Sequence, residues 1–123
     1  MTLDQLATQA AAIVSATQQR LPPDVQAAAL PVPVHYEDYP DGAVLDDGFD
    51  ADILGLFVGH PHEAELSASY PAPPQIFLYL GNLWDFAEGD EAAFRREVRL
   101  TYLHELGHYL GWDEDALAAR GLE

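Results

Sequence analysis

His104, Glu105 and His108 stand within a stretch that reads His-Glu-Leu-Gly-His. On an α-helix, side chains four residues apart lie roughly 40° apart around the axis, one turn along it. His104 and His108 then point the same way, and two imidazoles so placed can ligate one metal ion. Glu105 sits beside the first histidine, within reach of a water on that ion, and a carboxylate there serves as general base. The chain has no cysteine, so any metal must be held by His, Asp or Glu.

The residues that follow extend the pattern. Gly111 permits a sharp turn just past the second histidine. Such a turn can carry an acidic side chain back towards the ion. Glu114 falls six residues after His108, where HExxHxxGxxH sites place their third ligand. Three protein ligands with one open position for water is the catalytic zinc pattern. Asp113 and Asp115 flank Glu114; Asp113 is read as a helix N-cap and Glu114 as the ligand, with an exchange of those two roles left open. Two histidines and a carboxylate suit Zn²⁺, and also Fe²⁺, Ni²⁺ or Co²⁺.

These residues need a helix to hold them. A long one is predicted from Asp90, as N-cap, to about residue 110, with Gly111 as its terminating glycine. From Leu100 to Trp112 it is apolar on nearly every side, and the arginines at 95, 96 and 99 mark a wet face only in its first half. A helix apolar all round is buried. Two histidines and a glutamate in such a segment then require partners, because an unpaired buried charge costs several kcal/mol. A metal ion satisfies all three; hydrogen-bonded core histidines beside an incidental glutamate are the alternative.

The remaining elements make a small α+β domain spanning residues 1–123, a mixed sheet of three to four strands packed with an N-terminal helix and the long helix. Thr2 and Gln5 form a capping box for a helix over 3–20, with Leu3, Leu6, Ala10, Ile13 and Val14 on its apolar face. Pro22 and Pro23 end it, and a short helix over 24–29 follows. Val32, Val34 and Tyr36 alternate as a strand that Pro31 and Pro33 confine to an edge. Residues 37–51 read as an acidic surface loop that lacks the spacing of a calcium loop. Strands are predicted over 52–58 and 75–80. Residues 81–89 read as a loop holding Trp84 and Phe86, and a short helix opens at Asp113.

Composition narrows the function. At 49% hydrophobic and 21% charged residues, the chain is globular rather than disordered. Twenty-one acids face five basic residues, all arginine, for a formal charge of −16. Such a surface repels phosphate backbones and anionic membranes, which argues against nucleic-acid and membrane partners. With no long apolar run and no basic residues leading into an apolar N-terminal segment, a cytoplasmic protein is expected.

With its motif extended through Gly111 to Glu114, the chain resembles the small bacterial zincin-like metallopeptidases, a minimal-zincin family whose motif reads HExxHxxGxx(D/E). The likeness runs from about residue 52 onward, through Leu54-Gly55-Leu56-Phe57, Gln75–Leu80, Arg95-Arg96-Glu97-Val98 and Asp113–Leu117. It implies a compact zincin-like fold, a zinc site with His104, His108 and Glu114 as ligands, Glu105 as catalytic base of a metallopeptidase acting on a peptide or protein, and strand 75–80 as the sheet edge to which that peptide adds. Met1 is the sole methionine, so the Met-turn of larger zincins is absent. His60, His62, Tyr70, Tyr79, Tyr102 and Tyr109 are the candidates for stabilising an oxyanion. Three alternatives stand beside hydrolysis of peptides: a non-catalytic metal-binding protein with a structural or partner-binding role, a metal-dependent nuclease, and a regulator that cleaves one partner. The charge argues against the nuclease. No room is seen for the DNA-binding helices such a regulator brings. A purely structural site has no need of Glu105.

Overall fold

The computed structural model describes residues 1–59 and 73–120, with the side chain of Glu114 excepted. Helix α1 (Leu3–Gln19) opens on the expected capping box: Thr2 Oγ1 accepts from the Gln5 N–H, and the Thr2 N–H donates to the Gln5 side chain. Leu6, Ala10 and Val14 recur at helical spacing and are buried. Helix α2 (Pro23–Ala29) begins on a proline, which suits a first helical position that needs no N–H.

Among the described residues the sheet has three strands in the order β1 (Val34–Glu37), β3 (Gln75–Tyr79), β2 (Gly55–Val58). β1 runs parallel to β3, with Val34 opposite Ile76; β2 runs antiparallel to β3, with Gly55 opposite Leu78. The structure therefore corrects the reading of 75–80 as an edge, because β3 is paired on both sides. Its side chains explain why: Ile76 and Leu78 are fully buried on one face and Tyr79 is buried on the other, as befits a central strand. β1 is an edge of the described sheet, in keeping with Pro31 and Pro33, and the Ile76 N–H donates to Pro33 O at 3.0 Å. β2 is shorter than predicted, with residues 52–54 leading into it.

Two predicted loops contain helices. Within the acidic stretch, α3 (Gly42–Asp46) forms on a cap, Asp41 accepting from the Val44 N–H at 3.0 Å, and it buries no residue. Residues 80–86 form α4 (Leu80–Phe86), which has no side-chain cap but buries Leu80 and Leu83. Tertiary burial here overrides the weak helix propensity of Gly81 and Asn82.

Helix α5 (Glu91–Leu110) packs across the sheet and against α1. Asp90 caps it, accepting from the Ala93 N–H at 3.0 Å. It ends at Gly111, whose φ of 74° lies in the left-handed region. The Trp112 N–H donates to Gly107 O and the Gly111 N–H to His108 O, the two bonds of a Schellman turn. Helix α6 (Glu114–Ala119) follows directly, capped by Asp113. Gly107 leaves room for it: a Cβ there would lie 3.0 Å from the Leu117 Cδ1. Asp90→Ala is expected to cost about 1 kcal/mol of stability in urea denaturation, the usual loss for a helix N-cap, with bound metal unchanged. Among the described residues no helix is long and apolar enough to cross a membrane.

Candidate metal centre

The second half of α5 buries Thr101, Tyr102, Leu103, Glu105, Leu106, Gly107 and Tyr109, leaving His104 and His108 exposed. This differs from the expectation that all three motif side chains are buried. His104 and His108 share one stripe of the helix, one turn apart, and that stripe faces solvent. Glu105 is only 6% exposed.

The two imidazoles face each other, with Nε2 to Nε2 at 3.2 Å. Zn–N bonds of about 2.0–2.1 Å meeting at a tetrahedral angle place two nitrogens about 3.3 Å apart. The observed separation therefore fits two imidazoles sharing one ion. Glu105 Oε1 lies 3.6 Å from His108 Nδ1. Donor atoms of His104, Glu105 and His108 all lie within 4.8 Å of one another, and this is the one such group found among the described residues.

Burial pushes the Glu105 carboxyl above the usual glutamate range, while the His104 imidazole and a hydrogen bond from the Phe57 backbone pull it part of the way back. A carboxylate lifted in this way is a stronger base. Its position comes from β2. Gly55 packs against α5 so closely that a Cβ there would lie 2.6 Å from Thr101 Cγ2 and 3.2 Å from Glu105 Cγ. Asn82 holds the approach to β2 by donating to Ala51 O at 2.8 Å and to Ile53 O at 2.9 Å. Beside the motif a cleft of about 670 Å³ opens, with His104 and Glu105 on its wall and Ile53, Leu54, Leu100 and Leu117 supplying apolar surface.

Asp113 has the N-cap role expected of it, accepting from the Ala116 N–H at 2.8 Å. Glu114 opens α6; its side chain lies outside what the structure describes, as do residues His60, His62 and Tyr70. Tyr79, Tyr102 and Tyr109 are buried; the Tyr102 hydroxyl accepts from Gln18 Nε2 at 3.1 Å, and the Tyr109 ring centroid lies 5.7 Å from that of Phe57. Sequence reasoning passed over the positioning roles of Gly55, Phe57 and Asn82. A glycine inside a β-rich strand was the available signal, since it marks a close approach.

The family model for zincin-like metallopeptidases matches residues 30–122. The chain belongs to that family, and the match extends beyond the motif and its neighbouring strands to include β1 and α3. No curated protein matches the chain significantly.

Proposed function

We propose that the protein is a zinc-dependent metallopeptidase. The observation that carries this reading is the pair of exposed imidazoles 3.2 Å apart beside a buried carboxylate. His104 and His108 would hold the ion through Nε2, and Glu114 would be the third ligand. When bound, zinc supplies a Lewis acid for the scissile carbonyl and brings the pKa of water near 7.

The chain's own residues supply the rest. Glu105 accepts the proton of the attacking water on a carboxylate oxygen and delivers it to the leaving amine nitrogen. The Phe57 backbone and the packing of Gly55 hold that carboxylate in place. β2 is an edge of the described sheet and lies against the catalytic carboxylate, so an extended peptide running along β2 comes within reach of Glu105. A formal charge of −16 favours a peptide substrate over a nucleic acid.

The test is metal analysis of the purified protein together with digestion of a peptide library, before and after chelation. About one zinc per chain is expected, with cleavage lost on chelation and restored by zinc. The melting temperature should fall on chelation, since a ligand at a hundredfold excess over its Kd contributes about 2.7 kcal/mol. Cleavage that persists without metal, or metal binding with no cleavage of any library member, overturns the reading.

A further inference from the structure

Four of the chain's five basic residues gather around one cavity. Arg20, at the C-cap of α1, and Arg95, Arg96 and Arg99, on α5, line a space of about 470 Å³ between the two helices. Its apolar walls come from Ile13, Leu21 and Leu103. No acidic residue lines it among the described residues. In a chain with 21 acids and a formal charge of −16, this is a strong local inversion of sign.

Helix stability does not account for the arrangement. Arg95 and Arg99 are four residues apart, a like-charge spacing that weakens a helix. They also lie in the half of α5 nearer its N-terminus, where the macrodipole favours acids. Arg20 suits the C-terminus of α1 on dipole grounds, but the last carbonyls there are already used. Thr17 O accepts from the Arg20 N–H at 3.1 Å, and Gln18 O accepts from the Leu21 N–H at 3.2 Å and Gln26 Nε2 at 3.0 Å. Glu97 lies 3.8 Å from the Arg96 Nε, at the outer limit of an ion pair.

The volume falls within the ~300–1,000 Å³ typical of small-molecule sites, and the lining has their usual character, apolar walls with a few charged groups that fix orientation. Guanidinium groups match the planar oxygens of carboxylates and phosphates. We infer that this cavity binds a small amphiphilic anion, a carboxylate or phosphate carried on an apolar body, with its head on the arginines and its body against Ile13, Leu21 and Leu103. Leu103 lines both this cavity and the cleft that holds His104 and Glu105. The inference does not depend on catalysis.

Isothermal titration of the metal-loaded protein with octyl phosphate, below its micellar concentration, tests this. One saturable site per chain is expected. Octanol and inorganic phosphate should each bind at least tenfold more weakly, because each lacks one half of the ligand. Arg95→Gln/Arg96→Gln/Arg99→Gln should lower octyl phosphate affinity at least tenfold while keeping the bound metal and the melting temperature. Should the triple variant fold poorly, Arg95→Gln alone should weaken binding about threefold. Affinity within twofold of wild type in the folded variant would put the phosphate elsewhere, on the metal included, and overturn the inference. So would equal affinity for octanol, or association with phosphatidylglycerol vesicles without binding of the monomeric amphiphile.

Discussion

Glu105→Gln is expected to keep the metal and lose hydrolysis, with kcat falling about 10²–10⁴-fold, the usual contribution of a positioned general base. The amide has nearly the same shape as the carboxyl and can still accept the hydrogen bond from the Phe57 backbone. It cannot take a proton. Glu105 is only 6% exposed, so bulk solvent is poorly placed to act in its stead. His104 and His108 are untouched, and zinc content should match wild type. Stability follows from the sign of the pKa shift. Burial raises the Glu105 carboxyl, which means that the fold disfavours its charged form at neutral pH. The neutral amide should leave the fold as stable or somewhat more so. Bound zinc, kcat and a urea curve on the same preparation separate these outcomes. Turnover within tenfold of wild type would sink the assignment of Glu105 as base.

The parts of this molecule that were legible in the sequence are those set by short-range chemistry. Thr2 with Gln5, Asp90, Gly111 and Asp113 mark helix ends because each satisfies a backbone group a few residues away. The juxtaposition of His104 and His108 was legible for the same reason, since one helical turn is a local distance. Strand order was not, because pairing joins segments remote in sequence. The β-rich run Gln75–Tyr79 carries no sign of having partners on both sides. Counting apolar residues from Leu100 to Trp112 also suggested burial all round, yet the stripe bearing the two histidines stays open. Helix α4 was hidden by Gly81 and Asn82, residues common in turns, which are held helical here by packing. The Glu105 carboxylate is the mixed case: its position in the motif was evident, but its surroundings come from β2, far earlier in the chain.

Gly55→Val tests how much of the site depends on that remote strand. Local propensity and packing give opposite signs. Valine is a good strand residue, and the β-propensity scale spans ~1 kcal/mol. Against this, the first added carbon would sit 2.6 Å from Thr101 Cγ2, 3.1 Å from Phe77 O and 3.2 Å from Glu105 Cγ. Thr101 is buried in α5 and Phe77 belongs to the central strand, so neither yields without moving its element. Overpacking of this kind costs about 1–3 kcal/mol, and packing wins. Separating β2 from α5 also shifts Glu105 against the histidines, and a displacement of about 1 Å at a reacting group can lower a rate about 10²-fold. The expected result is a lower melting temperature and a kcat reduced about a hundredfold, with zinc still bound. Thr101→Ser removes the nearest clashing carbon while keeping the hydroxyl, so adding it to Gly55→Ala should recover part of any loss that Gly55→Ala shows alone. A Gly55→Val protein with wild-type melting and with kcat within threefold would mean that the close packing of β2 on α5 does not place the carboxylate.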